Sequence, residues 1–143
     1  MDHRTYDRIC EVVYDEAGIR IKPGKESMVS SRLAKRIRTL GLQDETDYLE
    51  HLERHLRQEV VALLDVISTN VTQFYREAEH FEIFARHHEA LVRARQKRLR
   101  YWCAASSTGE EPYTIAMTVA EVESRCGIHT DTKLLATDIS TRV

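Results

Sequence analysis

Two stretches of this sequence carry residue types that could hold a ligand, and both end on acids. The first is Ala104-Ala105-Ser106-Ser107-Thr108-Gly109-Glu110-Glu111, small side chains running into a helical pattern. Small residues let the backbone approach a ligand closely, and a helix start offers N–H groups and a partial positive charge. The segment is not a GxGxxG fingerprint, and its T-x-x-E, Thr108 with Glu111, also has the form of a capping box. On pattern alone, capping is the stronger reading for both. The second stretch is Lys133-Leu134-Leu135-Ala136-Thr137-Asp138. Asp138 reads either as a loop acid or cap, or as the acid that ends a strand and accepts hydrogen bonds from ribose hydroxyls. The second role has a geometric reason, because the ends of adjacent parallel strands face one crevice. Upstream, Asn70 and Thr72 fit a turn and a cap, and Arg76 fits a surface arginine paired with an acid. No triad, catalytic histidine or metal motif is visible. The seven histidines, His87-His88 included, read as solvated helix residues. Cys10, Cys103 and Cys126 are widely spaced with no CxxC, so they read as reduced, packed thiols.

The elements that must position these residues follow from periodicity. Residues 3–17 place Tyr6, Ile9, Val13 and Ala17 at helical spacing, with Gly18 as the stop. After Pro23-Gly24 a second helix carries Val29, Leu33, Ile37 and Leu40, closed by Gly41. A third starts near Asp44 with Tyr48, Leu49 and Leu52 inward, and a fourth holds Val60, Val61, Leu63, Leu64 and Ile67. Short connections between short amphipathic helices predict a compact bundle over residues 1–68. Residues 69–97 read as a linker with a helix over 77–95 that also packs on the next domain. From residue 98 onward the pattern is strand (99–104), small-residue turn, helix to about Arg125, and a second strand over 133–138. That is a βαβ unit, the opening of a nucleotide-binding α/β fold. Two strands and one helix do not complete a doubly wound sheet. Three expectations stand open: a fragment, a truncated relative, or a sheet completed by another chain.

Composition sets the class. With 42% apolar and 31% charged residues the chain is a soluble globular protein. Its polar start and the lack of a long apolar run predict a cytoplasmic protein with no direct membrane insertion. A net charge of −2 argues against a nucleic-acid binder, but the basic residues cluster. Residues 22–38 and 86–100 each hold six basic residues and one acid. Local patches on a near-neutral protein suggest a specific acidic partner. In the second helix Lys25, Arg32 and Arg36 fall on one side, with Lys35 close by and Arg38 further round. A solvated basic face is the plainer reading of that run.

Three segments bring a resemblance. Thr69-Asn70-Val71-Thr72-Gln73-Phe74-Tyr75-Arg76-Glu77 resembles T-N-x-T-x-F-[FY]-R-[ED]. Ser107-Thr108-Gly109-Glu110-Glu111-Pro112-Tyr113-Thr114-Ile115-Ala116-Met117 resembles S-T-G-E-E-P-Y-S-[IL]-A-M, with Thr114 where serine is commoner. Ala136-Thr137-Asp138-Ile139-Ser140 resembles A-[ST]-D-I-[DS]. In this order, behind a helical domain, they resemble the chemotaxis-receptor methyltransferases, the CheR family, from end to end of the chain. The resemblance implies a helical domain followed by the N-terminal part of a Rossmann-like class I methyltransferase domain from residue 98 to residue 143. It implies S-adenosylmethionine as methyl donor, S-adenosylhomocysteine as product, and glutamates on cytoplasmic receptor helices as acceptors.

Carried over by position, the resemblance makes Asn70, Thr72 and Arg76 cofactor-site residues of the linker. It makes Glu111 the acid of the turn, with adjacent Glu110 as the alternative, and Asp138 the ribose-binding acid. Arg76 is the residue expected near the reacting carboxylate or the methionyl group. Arg32, Lys35, Arg36 and Arg38 become the expected contacts to acidic receptor helices. The family's inserted β-subdomain and remaining catalytic walls lie outside the sequence, so the chain alone is expected to be too short for activity. The alternative reading is a non-catalytic receptor-binding module carrying a truncated methyltransferase half.

Overall fold

A computed structural model describes every residue of the chain except Thr69. The first residue of the Thr69–Glu77 motif, and with it the expected domain boundary at 69, therefore lies outside the described residues. Residues 1–68 with Ser140–Arg142 form one compact unit, and residues 70–139 with Val143 form a second.

The first unit is four helices: α1 (His3–Ala17), α2 (Glu26–Leu40), α3 (Glu45–Arg54) and α4 (Leu56–Ile67). Their ends are set by local chemistry. Asp2 caps α1 by accepting from the Thr5 N–H at 3.0 Å, and Asp44 caps α3 through the Thr46 and Asp47 N–H groups at 2.9 and 3.0 Å. Gly18, at φ 67°, takes the left-handed turn that stops α1 and sends its N–H to the Tyr14 carbonyl. The apolar stripes meet in one core of Tyr6, Ile9, Val13, Val29, Leu33, Ile37, Tyr48, Leu52, Leu63 and Ile67, among others. Each such aliphatic side chain contributes about 1.5–3 kcal/mol by leaving water. Val61 instead faces solvent. A carboxylate sits inside this core: Glu59 is buried and accepts from Arg36 Nε at 2.8 Å, Arg36 Nη2 at 2.5 Å and the Tyr48 hydroxyl at 3.0 Å.

The second unit holds α5 (Ala78–Arg93), β1 (Arg98–Cys103), α6 (Glu110–Cys126) and β2 (Asp131–Ala136). The strands pair in parallel with Leu99 opposite Thr132, Trp102 opposite Leu135 and Cys103 opposite Ala136, joined through α6. Helix α5 packs on α6 inside this unit. Strand β2 ends two residues before the expected limit. The Thr137 N–H bonds the Cys103 carbonyl at 2.9 Å and the Thr137 carbonyl takes the Ser106 N–H at 3.0 Å, so the chain has already turned toward the β1–α6 loop. Trp102 and Leu135, side by side in the register, are 68% and 59% exposed. The Trp102 indole N–H donates to the Thr137 hydroxyl at 3.0 Å.

One expectation fails here. His88 is not solvated: it is fully buried, whereas its neighbour His87 is exposed. Phe84, His88 and Val92 recur every four residues and so share the face of α5 that packs inward. His88 Nδ1 lies 2.8 Å from the Tyr101 hydroxyl of β1, and Nε2 lies 3.8 Å from Glu123 of α6, buried and without a hydrogen-bond partner. Burial pushes the imidazole's pKa down, with the Glu123 charge opposing and His87 adding to the fall.

Candidate functional site

The turn between β1 and α6 is built close and tight. Ser107 (φ 45°) and Gly109 (φ 107°) both take positive φ, the second a value that suits glycine. Gly109 is the N-cap of α6, and no side chain caps the helix. The capping box read from Thr108 and Glu111 is therefore not formed. With the cap at Gly109, Thr108 stands one residue too early, and its hydroxyl donates to Glu110 at 2.6 Å instead. Glu111 is exposed and accepts from the Cys103 thiol at 3.5 Å. Burial and the nearby Glu111 charge push the Cys103 thiol pKa up.

Ser107 is the hub of the site, a role that reading the motif alone did not assign to it. Its backbone N–H donates to Asp138 Oδ2 at 2.7 Å, and its hydroxyl donates to the Asn70 carbonyl at 3.0 Å. Two of the expected residues, Asn70 and Asp138, are thus brought to one serine. Thr114, which departs mildly from the family pattern, is fully buried and also ties segments together. It accepts the Tyr75 N–H at 3.3 Å and donates to the Glu110 carbonyl at 2.6 Å. Arg76 is exposed and closes its own loop, donating to the Val71 carbonyl at 2.7 Å rather than to an acid. Thr72 is half-buried in the same segment.

Beside the turn lies a cleft of about 400 Å³, lined by Ser106, Ser107, Thr108, Gly109, Pro112, Tyr113, Ala116, Leu134, Ala136 and Val143. That volume is within the range of small-molecule sites. No lining residue is basic. Glu110 and Glu111 follow the turn directly and Asp138 is bonded to it, so the local charge is negative. A pyrophosphate cofactor would meet acids here, whereas an adenosyl sulfonium, cationic at sulfur and at its amino group, suits them. The residues present fit such a group: small side chains for close approach and a carboxylate for hydroxyl donors. A roomier groove of about 980 Å³ opens between α1 and α3. Its Arg8 is already engaged by Glu11 and Glu53 at 2.6 and 2.9 Å, and its His3 lies 3.4 Å from Asp7. Among the described residues, no group of three or more His, Cys, Asp or Glu side chains could hold a metal ion.

The four expected contact residues on α2 separate into two kinds. Arg36 is committed to buried Glu59 in two bonds, and Arg32 donates to the Ile67 carbonyl. Both are half-buried, while Lys35 and Arg38 are exposed. Among the described residues, no helix is long and apolar enough to cross a membrane.

Comparison with known proteins gives two family matches. Residues 4–68 match the all-alpha domain of the CheR methyltransferases, and residues 70–143 match their SAM-binding domain. A chemotaxis protein methyltransferase of Salmonella typhimurium is 42% identical over 139 residues, covering 96% of this chain and 46% of that protein. The chemotaxis protein methyltransferase of Borreliella burgdorferi is 35% identical over 142 residues, covering 95% and 50%. Chemotaxis protein methyltransferase 2 of Pseudomonas aeruginosa is 37% identical over 141 residues, covering 96% and 48%. The chain spans about half the length of the curated relatives it matches. A helical unit followed by a strand–turn–helix–strand unit, each matched in its proper order, makes this chain a member of the CheR methyltransferase family, with S-adenosylmethionine as the cofactor of its second domain.

Proposed function

We propose that the protein is a cytoplasmic methyltransferase that esterifies glutamate side chains on chemotaxis-receptor helices. The observation that carries this reading is the acid-bounded cleft at the β1–α6 turn, without a basic lining residue, in a domain matched to SAM binding. Asp138, oriented by the Ser107 N–H, is assigned to the ribose hydroxyls. Asn70 brings the preceding segment against the turn by accepting from the Ser107 hydroxyl, Thr72 two residues on is assigned to the same wall, and Glu111, with Glu110 beside it, supplies negative charge toward the cationic end of the donor. When bound, S-adenosylmethionine supplies a methyl group activated by its positive sulfur. A glutamate acceptor is already ionised near neutral pH, its reference pKa being about 4.3. No general base is needed, so none is assigned. The chain's task is to align the acceptor and exclude water, effects that supply roughly 7–11 kcal/mol in favourable cases. Arg76 is assigned to orienting the acceptor carboxylate or the methionyl end. The exposed Lys35 and Arg38 on α2, with Arg32 and Arg36 shaping that face, are assigned to acidic receptor helices.

The test uses protein expressed from the whole reading frame, labelled S-adenosylmethionine and receptor-bearing membranes, followed by mild alkali. Carboxyl methyl esters release volatile labelled methanol. Label that enters receptor but resists alkali would contradict ester formation, and no incorporation would favour a receptor-binding module without catalysis.

A further inference from the structure

Helix α6 buries Thr114, Thr118 and Val122, which recur every four residues and so share one face. Threonine is a poor residue for a helix interior, and an apolar side chain is the commoner occupant of such buried places. Each hydroxyl donates to the carbonyl one turn back, Thr118 to Thr114 at 2.8 Å and Thr114 to Glu110 at 2.6 Å. There the likeness ends. Among the described residues the Thr118 hydroxyl bonds only within its own helix, whereas that of Thr114 also accepts the Tyr75 N–H at 3.3 Å. A hydroxyl has one proton, and the Glu110 carbonyl holds it, so a lone pair is left for Tyr75.

That bond reaches the loop carrying Arg76. Tyr75 and Glu77, on either side of Arg76, both stand at positive φ, 55° and 57°. Residues other than glycine stay in that region only where their surroundings hold them. Arg76 folds back on its own loop, its N–H to the Gln73 carbonyl at 3.3 Å and its guanidinium to the Val71 carbonyl at 2.7 Å. The loop is tied at its start by the Ser107 hydroxyl on the Asn70 carbonyl, and at its end by Thr114 on Tyr75. All of these residues belong to the second unit. We infer that Thr114 is a positioning residue: by holding Tyr75 it fixes where the loop presents Arg76. The inference rests on the role proposed for Arg76.

The test uses protein expressed from the whole reading frame, carrying Thr114→Val, Thr114→Ser or, as a control one turn along, Thr118→Val. Valine keeps the shape and removes the hydroxyl, and serine keeps the hydroxyl. Amide hydrogen exchange reads the Tyr75 N–H, and labelled methanol released from receptor reads methyl transfer. Thr114→Val is expected to speed exchange at Tyr75 and to slow transfer about fivefold, the worth of one neutral hydrogen bond. Thr114→Ser and Thr118→Val should match wild type in both. Added to Arg76→Ala, Thr114→Val should slow transfer no further, since a residue acting through another is not additive with it. Normal transfer or normal Tyr75 exchange in Thr114→Val would overturn this inference alone. So would an equal loss in Thr118→Val, no recovery in Thr114→Ser, or a full further loss on top of Arg76→Ala. Arg76→Ala protein as fast as wild type would overturn the role given to Arg76, and this inference with it.

Discussion

Replacing Arg36 by methionine should unsettle the helical unit far more than removal of an ordinary surface arginine. The Glu59 side chain is 3% exposed and that of Arg36 25%. Removing one partner of a buried ion pair costs about 3–5 kcal/mol, and the partial exposure of Arg36 points to the lower end, about 3 kcal/mol. For a unit of this size, that loss lowers the melting temperature by roughly 12–24 °C. The pH dependence carries the finer signature. In the wild type, burial raises the Glu59 pKa but Arg36 and Tyr48 outweigh it, so the net shift is below the ordinary 4.5. Its contribution is then present above that value and lost as pH falls through the lowered folded pKa. In Arg36→Met, Tyr48 at 3.0 Å and His51 at 3.9 Å remain beside the carboxylate among the described residues, and burial dominates. The folded pKa now rises above the unfolded one, so the variant regains stability on acidification. The gap between the two proteins should be full at about pH 7 and narrow toward about pH 4. Urea unfolding followed by helical circular dichroism measures it. Arg36→Met/Glu59→Leu/Tyr48→Phe should recover most of the loss, since it also removes the buried Tyr48 hydroxyl that donates to Glu59 and leaves no polar group uncompensated. A gap below about 1 kcal/mol, or one that is constant with pH, would refute the reasoning.

Two further outcomes are expected. Lys35→Glu/Arg38→Glu should lower receptor methylation roughly tenfold at low salt and less at high salt, with S-adenosylhomocysteine affinity unchanged, because exposed charges steer encounter more than they hold. Equal loss of methylation and cofactor affinity would sink the assignment of this face to the receptor. For His88, the depressed folded pKa means stability is fully present above about 6.5 and lost as pH falls through the folded value. Thermal unfolding of His88→Gln should be flatter than wild type in that window, and equal slopes would show that another group titrates there.

Much of the architecture was legible because periodicity and punctuation agree. Gly18, Gly41 and Asp44 mark helix ends that burial alone would blur, and the Val29, Leu33, Ile37 stripe states which face of α2 goes inward. The turn, the helix after it and the second strand were legible as a βαβ unit. What escaped was long-range polar pairing. Nothing in the run of basic residues on α2 separates Arg36, whose partner is twenty-three positions away, from Lys35 beside it. His88 shares its helix face with Phe84 and Val92, a spacing that could have signalled burial, but histidine's polarity masked it. Ser107 sat inside a recognised motif, yet its two contacts are 31 and 37 residues distant and leave no local trace. The Thr108–Glu111 spacing suggested a cap because sequence does not reveal that Gly109 starts the helix one residue later.

Trp102 is the sole tryptophan of the chain, and its indole stands largely in water beside exposed Leu135. Its ultraviolet emission is therefore a built-in optical gauge of that strand surface. Anything that settles over the β1–β2 face will dry the ring and move its fluorescence to shorter wavelength, with no dye or label required.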